Sequence, residues 1–329
     1  HRIDAIVLAT PNFSHIGILR EIIPWRLHLL VEKPLCTTVE DCLEVQELLS
    51  QHSVGPISSL EGDTLGKLSR ESSSLTRPGG SPPMFWVGME YRYMPPVTKL
   101  LSVVDSGALG RVHMVHMREH RFPFLLKVAD WNRFSQNTGG TLVEKCCHFW
   151  DLMRRVVGPS ASATRVFASG AMDVNHVDES YPVRREEGIE HEDDEDSSSS
   201  SGAVAASGAS STGGGGSVGG GRRPDIIDNA FVIVEFDGGV RACLDLCMFA
   251  EDRQHEELIV VGSQGKVTAE APACVVTHHT PTQRASGPAP SNQRVPPPPG
   301  AFEKNTVVTT THVDEALLQA GYHEGATFF

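Results

Sequence analysis

The sequence predicts an α/β protein: a doubly wound parallel sheet followed by an α/β domain with an open, mainly antiparallel sheet. Three observations carry that reading. Near the start, two short apolar runs, Ile3 to Ala9 and Leu27 to Val31, each lead into a helical segment, and such crossovers require parallel strands. From Asn229 onward, strand-like runs follow one another across short turns, the order of an antiparallel sheet. Between them lies a glycine-bounded amphipathic stretch, Thr138 to Gly158.

Taken in order, Ile3 to Ala9 is continuously apolar, as a strand buried on both faces must be. Thr10-Pro11-Asn12 is a turn, Ser14 is placed to cap the helix that begins at His15, and Pro24 stops that helix. Leu27 to Val31 is the second strand and runs into Glu32-Lys33-Pro34, where a cis proline bond is expected. Thr37-x-x-Glu40 reads as a capping box for a helix over about Val39 to Gln51. Residues 54–83, rich in Ser, Gly and Pro, read as a loop insertion, and Met84 to Met89 restores a strand. Pro95 to Val104 is a helix with proline near its start, and Val112 to His120 is a strand. Phe122 to Asn137 is a loop.

Gly139-Gly140 and Gly158-Pro159 bracket what reads as a single helix with Leu142, Phe149, Leu152, Val156 and Val157 on its apolar stripe. Arg165 to Ala168, Asn229 to Phe236, Val240 to Phe249, Glu257 to Val261, Lys266 to Glu270 and Thr306 to Thr311 are strands, with Asp237-Gly238-Gly239 as a tight hairpin. Residues 184–224, an acidic block followed by serine and glycine tracts, cannot bury enough apolar surface to order themselves. Residues 272–299 read as a second, proline-rich flexible loop.

Composition narrows the function. A chain of 329 residues with 40% hydrophobic content has room for two domains. A net charge of -13 argues against nucleic-acid and anionic-membrane partners. Seven scattered cysteines with no CxxC pair suggest a reducing compartment, read here as cytoplasmic, and no apolar run is long enough for a transmembrane helix. Cys146-Cys147-His148 invites a metal reading, but adjacent helical residues diverge by about 100°, so no metal is expected.

Glu144, His148 and Asp151 fall at i, i+4 and i+7, one face of a helix, and an imidazole beside a carboxylate suits acid/base work near neutral pH. Lys33 ends an apolar strand, where ligands of parallel sheets bind. Lys145 is placed to pair with an acid.

These residues carry a resemblance. Thr10-Pro11-Asn12 with His15, Glu32-Lys33-Pro34, and Gly139-Gly140-x-Leu142-x-Glu144-x-x-x-His148-x-x-Asp151, in this order and spacing, resemble the Gfo/Idh/MocA oxidoreductases, the group of glucose-fructose oxidoreductase and inositol 2-dehydrogenase. The resemblance implies a Rossmann-type cofactor domain whose Gly-x-Gly-x-x-Gly unit, absent ahead of Ile3, belongs upstream of this sequence. It implies residues 1–90 as the later part of that domain and residues 91–329 as a substrate and dimerisation domain. NAD or NADP is the implied cofactor, contacted by Thr10, Pro11, Asn12, His15, Glu32, Lys33 and Pro34. Lys33, His148 and Glu144 are the implied catalytic set, although Glu144 stands where the family usually carries aspartate. Arg92, Trp131 and Asp151 are assigned to a sugar, inositol or related polyol or carbonyl substrate. The antiparallel sheet is expected to form a homo-oligomer, and the sequence as given is expected to be inactive in isolation. The alternative is a non-catalytic nucleotide-binding relative that acts as an interaction protein.

Overall fold

A computed structural model of the chain describes residues 3–56, 83–181, 221–250, 255–281 and 306–312. Most of the two insertions at 54–83 and 184–224, and the proline-rich residues beyond Pro281, therefore lie outside the described residues. The chain forms two compact units, one of residues 1–175 with 225–329 and one of residues 176–224. In the second, Tyr181 and Arg222 pair across a single antiparallel bridge.

The first unit begins with a four-stranded parallel sheet of β1 (Ala5–Leu8), β2 (His28–Val31), β3 (Gly55–Pro56) and β4 (Met84–Val87), in the order β1-β2-β4-β3. Helices α1 (His15–Ile22) and α2 (Val39–Gln51) cross between its strands. Leu19, Ile22 and Ile23 from the first crossover and Val45 and Leu49 from α2 close a core against Leu8, Leu29, Val31 and Phe85. Strand register sets where the connecting loops emerge. Leu8 lies opposite Val31, and Val31 opposite Val87, so three strands end level with one another. Their carboxyl ends deliver Thr10–Asn12, Glu32-Lys33-Pro34 and Gly88–Glu90 to one edge, and the Lys33-Pro34 bond is cis.

The caps differ from expectation. Ser14 is itself helical and makes no cap; its hydroxyl donates to Thr10 and to the Pro11 carbonyl, tightening the turn instead. At α2 the cap is Thr38, one residue beyond the expected Thr37. Thr38 is extended, and its hydroxyl accepts from the Asp41 N–H at 3.1 Å.

The larger sheet has eight strands: β5 (Val112–His120), β6 (Ala163–Ala171), β7 (Asn229–Phe236), β8 (Arg241–Cys247), β9 (His255–Gly262), β10 (Gly265–Ala271), β11 (Val275–Pro281) and β12 (Thr306–His312). Their order is β12-β11-β10-β9-β5-β8-β7-β6. Two features correct the sequence reading. β8 and β9 are not neighbours: β5 enters between them, parallel to β8 and antiparallel to β9, while the other pairings are antiparallel. Residues 275–281 form β11 rather than the start of a loop, because Val276 is buried and the strand pairs on both sides.

Helices α3 (Pro95–Asp105) and α6 (Cys147–Val157) cover one face of this sheet. Val115, Met117, Val232, Leu244, Leu258 and Val260 meet Leu100, Phe149, Leu152 and Met153 there. The expected single helix over 138–158 is divided into α4 (Ser135–Thr138), α5 (Thr141–Glu144) and α6. Gly139 and Gly140, both at positive φ, make the first corner. At the second, the Cys146 N–H reaches back five residues to the Thr141 carbonyl, so the helix widens at Lys145-Cys146 and restarts in a slightly different direction.

Candidate active site

The level strand ends place the Lys33 loop against the α5–α6 corner. Lys33 Nζ donates to the main-chain carbonyl of Glu144 at 3.3 Å, tying the parallel sheet to the α5–α6 corner. Gly139 packs against the Thr37 carbonyl, close enough that a Cβ there would lie 2.6 Å away. No side chain fits at that contact, so glycine is what lets the Lys33 loop and the α4–α5 corner approach.

His148 follows on the first turn of α6 and is 1% exposed. Its Nε2 lies 3.3 Å from Oε1 of Glu90, a half-exposed carboxylate at the rim, while Nδ1 is buried with no partner. Burial holds the imidazole well below its ordinary pKa of 6.5, and the positive charges of Lys33 and Lys145 push it further the same way. The ring is therefore neutral at physiological pH and able to accept a proton.

Glu144 is set differently. Its pKa is raised by burial, with Lys33, Lys127, Arg133 and Lys145 working in the opposite direction, and Oε2 is buried without a partner. Sequence spacing placed Glu144 and His148 on one helical face, but the widened turn between them puts Glu144 on α5. It meets Lys33 through its backbone. Cys147 donates to the same carbonyl at 3.4 Å, and burial pushes its thiol up to about 11. Such a thiol is no nucleophile at neutral pH. Among the described residues, no three His, Cys, Asp or Glu side chains are grouped as a metal site.

The other residues singled out by sequence separate into groups. His15 is fully buried, with Nδ1 3.0 Å from the Pro34 carbonyl and Nε2 3.0 Å from the Thr10 carbonyl. It ties the two loops together. Asn12 is buried beside it, and its Nδ2 has no hydrogen-bond partner, an unmet donor at the carboxyl end of a parallel strand. Arg92 and Asp151 form a two-point ion pair with both contacts at 2.5 Å. That pair lines a cleft of about 730 Å³ together with Leu35, Val45, Phe85 and Trp86, and neither Lys33 nor His148 lines it. Trp131 packs edge-on against Phe13, with ring centroids 6.1 Å apart.

Sequence reasoning missed Glu90, Glu119 and Glu256. Glu119 and Glu256 are buried, and the alternation of β5 gave a signal for the first: Val115, Met117 and Glu119 share a face, so Glu119 must point into the core. Lys145, expected to find an acid, finds this one at 2.9 Å.

A parallel sheet whose strand ends carry the Lys33 loop, followed by a mixed, mostly antiparallel sheet covered by helices on one face, is the arrangement of a Rossmann-type fold followed by an α/β domain. Residues 1–56 match the NAD-binding Rossmann fold of an oxidoreductase family, and residues 102–321 match the C-terminal α/β domain of the same family. The chain belongs to the GFO/IDH/MocA oxidoreductases. It is similar to the oxidoreductase YteT of Bacillus subtilis, 26% identical over 188 residues, which is 56% of this chain and 37% of that protein. Among solved structures it resembles an inositol dehydrogenase homologue from Azotobacter vinelandii in complex with NAD+, at TM-score 0.57 and 16% identity, covering 94% of this chain and 57% of the other. It also resembles a levoglucosan dehydrogenase in complex with NADH, at TM-score 0.61 and 15% identity, covering 95% and 62%. The chain thus spans about two fifths of the curated relative and less than two thirds of either structure.

Proposed function

We propose that this chain is the catalytic body of an NAD(P)-dependent oxidoreductase acting on a sugar, inositol or related polyol or carbonyl compound. The observation that carries the reading is Lys33 at the carboxyl edge of a parallel sheet, its ammonium on the Glu144 carbonyl and close enough to the buried, neutral His148 imidazole for its charge to lower that ring's pKa. The domain boundary falls near residue 90, between the strands of the two sheets.

Thr10, Pro11, Asn12 and Glu32-Lys33-Pro34 would hold the dinucleotide; the unmet Asn12 donor suits a ribose or phosphate oxygen. When bound, the nicotinamide supplies a hydride acceptor or donor. The chain supplies the proton chemistry. In oxidation, the neutral His148 imidazole takes the proton of the substrate hydroxyl at its unprotonated ring nitrogen while Lys33 donates a hydrogen bond to the same oxygen, stabilising its developing negative charge. In reduction, the protonated imidazole returns that proton. His15, with both nitrogens facing carbonyls, holds the cofactor loops in register rather than touching the cofactor. Glu144 acts through its charge and its carbonyl contact with Lys33. Arg92, Asp151 and Trp131 shape the substrate side.

The test is fluorescence titration with NADH and NADPH, followed by a polyol and sugar panel comparing wild type, Lys33→Ala and His148→Ala. Cofactor binding is expected to survive in His148→Ala and to weaken without being abolished in Lys33→Ala. Turnover is expected to fall at least about 10²-fold in each. Cofactor binding with no turnover of any substrate would favour a non-catalytic relative, and absence of binding would refute the reading.

A further inference from the structure

We propose that Tyr91 and Lys145 are positioning residues for His148: the Tyr91 phenol, held at its hydroxyl between Lys145 and Glu256, is the plate against which the imidazole is set. This role deepens the proposed function and rests on His148 being its acid/base.

Glu119 on β5 and Glu256 on β9 lie directly opposite each other, both on the buried face of the sheet. Two carboxylates so placed repel unless cations or donors lie between them. Lys145 Nζ approaches Glu119 Oε1 at 2.9 Å, and Arg121 approaches the same oxygen at 3.1 Å. The Tyr91 hydroxyl donates to Glu256 Oε1 at 2.8 Å and accepts from Lys145 Nζ at 2.6 Å. The phenol is thus fixed at its far end by both sides of the charge cluster.

Its face is what His148 meets. The two rings stack with centroids 4.1 Å apart and planes inclined by 6°, and Phe149 closes the Tyr91 edge at 5.8 Å. With Nδ1 unpartnered, the imidazole has no hydrogen bond on that nitrogen to fix its orientation. The stack and the Glu90 contact do so instead. Lys145 also sits three residues before His148, at the widened turn where α6 restarts, so one side chain anchors both the phenol and the start of the helix that bears the histidine. The ionisable groups facing His148 are Lys33 from the loop after β2, Glu90 and Tyr91 from the turn after β4, Lys145 from the α5–α6 corner and Cys147 on its own helix. Lys145 is one of the two cations that help keep the ring neutral.

The experiment is histidine NMR through a pH titration of the full chain, with His148→Gln to assign the resonance, on wild type, Lys145→Met, Lys145→Arg and Tyr91→Phe. The His148 midpoint is expected to rise in Lys145→Met, and Lys145→Arg is expected to restore it towards wild type. Tyr91→Phe keeps the ring but frees its end, and is expected to shift the His148 signals and lower kcat about tenfold with KM nearly unchanged. A His148 resonance that titrates and resonates as in wild type in folded Lys145→Arg, Lys145→Met and Tyr91→Phe overturns the proposal. If Lys145→Met does not fold, Tyr91→Phe decides, since its hydroxyl alone is removed. Because the NMR readout needs no turnover, failure of the dehydrogenase reading and failure of this one are separately visible.

Discussion

At the scale of single residues, the site is governed by what burial does to charge. His148 is folded with its pKa below the ordinary 6.5 that it regains on unfolding. Between those two values the unfolded chain binds more protons, so native stability is lost as the pH falls from about 6.5 towards the folded pKa and is independent of this group above it. Glu144 has the opposite sign. Its raised pKa makes the folded chain the better proton binder, so its contribution is lost as the pH rises from its ordinary 4.5. Replacing His148 by glutamine isolates the first effect. Urea-unfolding free energies measured from neutrality downward should fall less steeply in His148→Gln than in wild type, and parallel slopes would show that the histidine is not held neutral in the fold.

At the scale of elements, two backbone features set the distance between Lys33 and the α5–α6 corner. Thr38 caps α2 directly after the Lys33 loop, and Thr38→Ala should cost about 1 kcal/mol in chemical unfolding. Gly139 is the more demanding position. Its φ is +77°, and a Cβ would lie 2.6 Å from the Thr37 carbonyl and 2.8 Å from Val143. Gly139→Ala must either strain that corner or move it away from the Lys33 loop, at a cost of about 1–3 kcal/mol. A thermal midpoint equal to wild type would show that the corner is not a fixed contact. Cofactor titration of the same variant should show whether the Lys33 loop moves with it.

At the scale of the whole molecule, the face of the eight-stranded sheet that no described residue covers is the feature that asks for a partner. One row runs Phe231, Asp245, Arg118, Glu257 and the next runs Phe167, Ile233, Cys243, His116, Ile259. Phe231 is 68% and Phe167 51% exposed, with Arg118 paired to Asp245 and Glu257 beside them. We propose this face for self-association. A double change, Phe231→Asp with Ile233→Lys, should leave the fold intact, because neither side chain belongs to the core, and should convert an oligomer to monomers by light scattering. An unchanged mass in solution would move the interface elsewhere. Among the described residues no helix is long and apolar enough to cross a membrane.

Much of this was legible in order of sequence. Apolar runs and turn residues report local periodicity, so β5 and β7 were read to the residue and the others to within a few positions, except β3 and β11, both of which fell in stretches read as loops. The Glu32-Lys33-Pro34 corner and the glycine-bounded stretch around His148 were visible because both are local signals and both belong to a family pattern. What the tertiary structure decided depends on contacts between distant positions. The entry of β5 between β8 and β9 leaves no trace in local alternation, since a strand's pattern records which face is buried and not which neighbour it takes. The division of the long helix at Lys145 has the same origin: spacing describes an unbroken helix, whereas Lys145 turns inward to Glu119 because strand register has already placed that carboxylate opposite Glu256 in the core. Sequence by itself determined the layers and the strand ends, and it singled out the residues proposed to carry the chemistry. Only the tertiary structure decided the charge cluster behind His148, because burial and pairing of charge are properties of the assembled fold.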